Sequence, residues 1–296
     1  MILDPRESQA LVKRACESRD IPTLAPVLGQ ARRLLGDNRA SARQIADALR
    51  RDQVLSAKIL RLANSSHYAF SAPVTDVRRA LQFVGDDTLR TLLLGTGAFA
   101  DAPPRLDRFD VRGFWKHSLA TALLAENLAR RAGFAEAETH FTCGLLHDIG
   151  KLALYRSAPE VVDEVVRFAF YEHVSFLEAE QKIGLPGHTL VGERIAAAWG
   201  LPAVIRRTLR YHHRSPQSFR DFDDVSRRCL LTTVVANRAV NRSEIGFSGN
   251  PKREDHDPLD LDALAVTVDE LRELAREAAL QVEGIESELR PFSMAA

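Results

Sequence analysis

Leu145-Leu146-His147-Asp148-Ile149-Gly150-Lys151 carries an apolar run directly into an adjacent histidine and aspartate, then into a glycine and a lysine. Neighbouring helical residues diverge by about 100°, yet near a helix end both side chains can reach one centre. The stretch therefore predicts a buried helix that ends on a pair of ligand-type side chains. Gly150 suits a left-handed helix terminus at this point. Such a segment belongs inside a helical domain built around a metal site or the remnant of one.

The flanking histidines fall in an order that supports this reading. His117 lies two residues after Trp115 and shares a helical face with Leu124 and Leu128, so it should point inward. His188 opens a later helix, His212 and His213 close another, and Asn237 sits inside the apolar run from Leu230 to Val240. Imidazole nitrogens and carboxylate oxygens bind zinc, manganese or iron at about 2.0–2.2 Å. An ion held in this way acidifies a bound water and clamps phosphate oxygens. Each residue alone has a plainer explanation. A single inward histidine is usually a hydrogen-bonded core residue, and histidines at a helix C-terminus favour the negative end of the dipole. Asp-Ile-Gly-Lys can be an ordinary helix stop. Order and spacing together argue for a pocket holding one or two divalent ions, with Fe, Mn or Zn as the candidates.

Apolar residues recur at helical spacing almost throughout, and period-two patterns are short and few, so the expected fold is all-α. Leu24, Val27, Leu28, Ala31, Leu34 and Leu35 form one helical face that Gly36 can end, and Ser41 reads as the N-cap of the next helix. A further helix carries Leu55, Ile59, Leu62 and Ala63, and the pattern continues through Val77–Val84 and Leu89–Leu94. The proline-containing stretch Asp101–Arg112 is the expected boundary between an N-terminal lobe, 1–112, and a larger lobe, 113–296. Beyond it helices are expected near 113–132, 138–154, 159–171, 187–198, 202–213, 222–241 and 260–290, the last docking on the second lobe by its apolar stripe. The polar segment Ser243–Pro258 reads as a mobile loop.

Composition narrows the function classes. The 296 residues include 40 basic and 40 acidic side chains and are 45% hydrophobic, enough for one large core or two moderate ones. Zero net charge gives no global attraction to nucleic acid or an anionic membrane. Cys16, Cys143 and Cys229 are an odd number without paired spacing, which argues against a disulfide framework and against a cysteine zinc site. No apolar run approaches the roughly 20 residues needed to cross a bilayer, and a cytoplasmic location is expected.

Trp115-Lys116-His117-Ser118 and Gly144 through Lys151 resemble the HD superfamily of metal-dependent phosphohydrolases. Ile21-Pro22-Thr23-Leu24-Ala25-Pro26, Leu60-Arg61-Leu62-Ala63-Asn64-Ser65 and Gly187-His188 through Trp199-Gly200-Leu201-Pro202 extend the likeness. With them the chain is similar, from about Asp20 to about Arg242, to the HDOD family, the HD-related output domain of bacterial signalling proteins. That resemblance implies a two-lobed helical fold and a regulatory role without an established catalytic activity. Set beside the related cyclic-dinucleotide phosphodiesterases, His117, His147, Asp148, His188, His212 and His213 match ligand positions. Asn237 stands where those enzymes carry a final aspartate, and Arg214-Ser215-Pro216-Gln217 stands in place of their Gly-Tyr-Pro loop.

Three functions follow as expectations. The first is a regulatory module that works through a protein partner or a small signalling ligand, with the pocket structural or vestigial. The second is a metal-dependent phosphohydrolase or phosphodiesterase. There His117, His147, Asp148 and Asn237 would hold one ion, and His188, His212 and His213 a second. Asp148 would orient the attacking water, and Lys151 would contact a phosphate oxygen, although a solvated lysine favouring the helix end explains Lys151 equally. The third is DNA binding by the two short helices of Ser41–Ser65 with Arg50, Arg51, Lys58 and Arg61. It is disfavoured by the neutral charge and the glycine-free turn at Arg51-Asp52-Gln53.

Overall fold

The computed structural model describes residues 2–17, 21–37, 39–65, 68, 72–99, 109–251 and 261–292. Capping residues set many of the helix starts. Ser41 accepts from the Gln44 amide at 3.2 Å while Gln44 Oε1 accepts from the Ser41 amide at 2.9 Å, opening α3 (Ala42–Arg50) after α2 (Ala25–Gly36). Asp52 takes the Val54 and Leu55 amides at 2.9 Å and opens α4 (Gln53–Ala63). Each such cap is worth about 0.5–2 kcal/mol. Asp76 starts α5 (Val77–Leu81), and α6 (Asp86–Leu94) follows Gly85. Two short strands, Thr23–Leu24 and Ala98–Phe99, pair in parallel at the ends of this group. Arg32 reinforces it by donating to the Leu93 carbonyl at 2.8 Å.

The larger group begins at α7 (Val111–Arg131), which packs on α8 (Ala137–Leu146). It continues with α9 (Ile149–Ser157), α10 (Pro159–Glu172), α11 (Phe176–Ile183), α12 (His188–Ala198), α13 (Ala203–Tyr211) and α14 (Asp224–Arg242). The final helix, α15 (Val268–Leu289), starts from the Thr267/Glu270 capping box, eight residues later than the apolar stripe suggests. It lies on α7 and α14 and also touches α2. The first helix of the chain, α1 (Pro5–Glu17), packs on α9 and α12. The fold is all-helical apart from the strand pair, as the periodicity predicts, and no helix among the described residues is long and apolar enough to cross a membrane.

The groups are joined by buried charge as well as apolar contact. Arg50, at the end of α3, reaches Glu126 on α7 at 2.8 Å and Glu138 on α8 at 3.1 Å, with its guanidinium 3.6 Å from the centre of the Phe141 ring. Arg78 bridges Asp47 and Glu138. Of the boundary segment, residues 101–108 lie outside the described residues. Phe109, at its end, is buried against Phe114 and Tyr155 at centroid distances of 5.3 and 4.9 Å.

Three local expectations need correction. The helix expected over 138–154 is two helices, broken at His147-Asp148. Gly150 does not adopt a left-handed conformation; it lies in the first turn of α9, and its role is close approach. Residues 243–251 of the expected mobile loop are folded back onto the protein, while 252–258 lie outside the described residues.

Candidate metal centre

The break between α8 and α9 creates the site. Leu145, Leu146 and Ile149 anchor both flanks in the core, so the two intervening side chains face inward. Glycines let the helices close in: a Cβ on Gly144 would lie 2.9 Å from Ala122 Cα, and one on Gly150 would lie 2.1 Å from the His188 carbonyl oxygen. α9 and α12 therefore cross nearly backbone to backbone. This brings His188, at the start of α12, next to Asp148.

Three histidines are held in one tautomer by hydrogen bonds behind them. His147 Nδ1–H donates to the Gly144 carbonyl at 2.7 Å, and His212 Nδ1–H to the Thr208 and Leu209 carbonyls at 3.2 and 3.1 Å. His188 Nδ1–H donates to Glu180 Oε2 at 2.7 Å, while Glu180 Oε1 accepts the His188 amide, also at 2.7 Å. Such outer partners orient a ligating imidazole and raise its basicity. The three Nε2 atoms then converge on Asp148. His188 and His212 approach Oδ1 at 3.1 and 3.3 Å, and His147 approaches Oδ2 at 3.3 Å. His213 Nε2 lies 3.1 Å from His188 Nε2.

The ligand-type atoms fall into two groups that share Asp148: Asp148, His188, His212 and His213 in one, and His117, His147 and Asp148 in the other, each within 4.8 Å. Asn237, buried on α14, is beside His117, and its Oδ1 accepts from Asn241 Nδ2 at 3.2 Å. His117 Nε2, His147 Nε2, Asp148 Oδ1 and His212 Nε2 are buried without a hydrogen-bond partner. An unsatisfied buried polar atom costs about 1–3 kcal/mol. Several converging lone pairs with no proton between them are what a cation resolves, and an all-nitrogen-and-oxygen set suits Zn, Mn or Fe. The residues present fit a divalent ion.

Lys151 departs from both readings of the sequence. It is neither solvated nor free for a ligand: its Nζ donates to Asp148 Oδ2 at 2.7 Å and to the Ser248 carbonyl at 3.1 Å, 4.6 Å from the centre of the Phe176 ring. Burial pushes the Asp148 carboxyl up, but the Lys151 ammonium, with His147 and His188, overrides it and holds the carboxyl well below the usual range. The segment that supplies Ser248 closes the site from outside. Phe247 N–H donates to the Gly113 carbonyl at 2.9 Å, and Asn250 Oδ1 accepts from the Phe176 amide at 3.3 Å. Gly246 (φ 71°) leaves no room for a Cβ, which would lie 2.4 Å from both Gly113 O and His117 N.

Glu180, Phe176 and Ser248 contribute to the site without having been singled out in the sequence. Ser175-Phe176-Leu177-Glu178 carries the capping-box pattern that could have revealed α11 and, with it, Glu180: Ser175 and Glu178 cap one another's amides at 3.2 and 2.7 Å.

Burial also sets the response to acid. It lowers His117 to about 3 and His140 and His212 to about 4, and it lowers His213 well below the ordinary value. Among the described histidines only His188 is raised, because Glu180 outweighs its burial. A histidine with a depressed folded pKa leaves the unfolded chain binding more protons between the folded value and about 6.5, so stability falls as pH falls through that window. The metal-free protein is therefore expected to have a lower urea midpoint at pH 5 than at pH 7. A midpoint that rises on acidification would contradict the neutral, buried state of these rings.

The family model of the HDOD domain matches residues 21–215. The MmoQ response regulator of Methylococcus capsulatus superposes with a TM-score of 0.67 at 23% identity, over 86% of this chain and 98% of that one. An HDOD domain protein of Geobacter sulfurreducens gives 0.51 at 24%, over 98% and 99%. A Campylobacter jejuni virulence factor gives 0.61 at 14%, over 97% and 95%. These similarities are of fold. An uncharacterized protein of Treponema pallidum is 24% identical over 222 residues, 75% of this chain, which spans 42% of that relative's length.

Proposed function

We propose that this chain, which belongs to the HDOD family, is a cytoplasmic regulatory module that binds a protein partner or a small signalling ligand and holds a divalent ion in its histidine–aspartate pocket. One observation carries the reading: the ligand atoms converge but are sealed. His117, His147, Asp148 and His188 are each 1% exposed, and Lys151 is 2% exposed. The Ser248 carbonyl and the Phe176 ring cover the Lys151 ammonium beside Asp148. Only His213 is partly open. An ion here ties together α7, α8, α12 and the end of α13, so its occupancy fixes how these helices pack, which is the kind of element a regulatory switch requires.

Phosphohydrolysis is the second reading, favoured by Asp148 being common to both ligand groups, as a bridging carboxylate would be. An ion would supply a Lewis acid and an acidified water; His117, His147 and Asp148 would hold one, and His188, His212 and His213 a second. Asn237 stands beside the first set but brings no negative charge.

Elemental analysis of the purified protein tests the pocket directly. At least one equivalent of Zn, Mn or Fe is expected in the wild type and little in His147→Ala/Asp148→Ala. A metal-free wild type would end the ion assignment. Partner capture with the same two proteins tests the switch, and unchanged capture by the double variant would remove the pocket from it. Turnover of a generic phosphodiester with added manganese, abolished in the double variant, would instead favour the enzyme.

A further inference from the structure

The outer face of α13 carries a second candidate site, away from the buried cluster. Val204, Ile205, Thr208 and Leu209 turn inward, so Arg206, Arg207 and Arg210 share the opposite face by helical spacing. With Glu193, Tyr211 and Phe222 they line a groove of about 340 Å³. That volume is at the lower end of the ~300–1,000 Å³ typical of small-molecule sites.

The charges in the groove are unequally matched. Arg207 is neutralised by Asp223 and also donates to Ser226 Oγ at 3.0 Å, with its guanidinium 5.0 Å from the Phe222 ring centre. Arg210 makes one 3.3 Å hydrogen bond, to Thr189 Oγ1. Among the described residues, neither Arg206 nor Arg210 has an ion-pair partner, and the Arg206 Nε–H is buried without any hydrogen-bond partner. Like charges at i and i+4 on a helix repel by roughly 0.2–0.5 kcal/mol, so this pair is a local cost to the fold. An unmatched buried guanidinium donor adds to it.

From this arrangement we propose that the groove binds a small organic phosphate of about mononucleotide size. Arg206 and Arg210 would take the phosphate, because the planar guanidinium fork matches phosphate oxygens in pairs. The half-buried Tyr211 ring, edge-on to Phe222 at 5.1 Å, offers an aromatic wall for the organic part. Glu193 is the acidic side chain of the lining and disfavours a ligand of high negative charge.

The site does not depend on the ion, but it is joined to the ion pocket. Arg210 hydrogen-bonds Thr189, the residue after His188, and His212 is anchored to the Thr208 and Leu209 carbonyls of the same helix. A ligand seated on α13 would thus reach both histidines through single-residue steps.

Calorimetric titration of the full chain with GMP, with guanosine as the phosphate-free control, tests the assignment. GMP should bind, guanosine should bind at least tenfold more weakly, and Arg206→Ala/Arg210→Ala should weaken GMP at least tenfold while keeping the wild-type melting temperature. No GMP binding, equal binding of guanosine, or an unaffected arginine variant would each overturn it. A folded Arg206→Gln/Arg210→Gln variant, which keeps the side-chain bulk, repeats the comparison if the alanine variant is destabilised.

Discussion

Gly150→Ala is expected to destabilise this protein by about 3 kcal/mol or more. The added Cβ would sit 2.1 Å from the His188 carbonyl oxygen, 2.8 Å from the Gly192 amide nitrogen and 2.9 Å from the His188 carbonyl carbon. All three are backbone atoms of α12, so no side-chain rotation relieves the clash, and α9 and α12 must separate. Gly144→Ala is the internal comparison: its nearest contact, 2.9 Å to Ala122 Cα, is also backbone but far less severe. Thermal denaturation should show Gly150→Ala melting roughly 5–10 °C below wild type, with Gly144→Ala between them. Separation would also carry His188 away from Asp148, so ion content should fall with stability. A Gly150→Ala variant that melts with the wild type would mean that the helices are not in backbone contact.

The same glycine illustrates what the sequence could and could not disclose. A glycine two residues after a histidine–aspartate pair resembles a helix terminus, because a sequence shows only local neighbours. Its actual constraint comes from α12, about 40 residues later. Lys151 is similar: beside an expected helix end it reads as solvated, and only the returning segment at Ser248 and the Phe176 ring bury it. The long, strongly periodic helices and the order of the histidines were legible, since periodicity and ligand chemistry are both local properties. α1 and α11 were not, one lying ahead of the recognisable motifs and the other only eight residues long. Cys143 and Cys229 have no motif spacing, yet α8 and α14 bring their buried thiols into contact. What remained hidden was the second layer around the histidines, Glu180 above all, whose role exists only once α11 is folded against α12.

Asp148→Ala, studied in protein stripped of metal, should cost about 3–5 kcal/mol, because it leaves the Lys151 ammonium buried without its carboxylate. The wild-type pair is 2.7 Å apart with both groups almost fully enclosed, and the other neighbours of Lys151 are a carbonyl and an aromatic face. These cannot neutralise a full charge. Asp148→Ala/Lys151→Met removes both charges and replaces the lysine stem with an apolar chain of similar length. Its stability should therefore return most of the way to that of the stripped wild type, since exchanging a buried ion pair for apolar groups is often close to neutral. Ion binding should behave differently. Both variants lack the carboxylate shared by the two ligand groups, so neither should recover metal on reconstitution, however well the double variant folds. Urea denaturation and elemental analysis of the same three proteins thus separate the two roles of Asp148. If Asp148→Ala were as stable as the stripped wild type, Lys151 would not depend on it for charge. If the refolded double variant took up an equivalent of metal, Asp148 would not be the centre of the site.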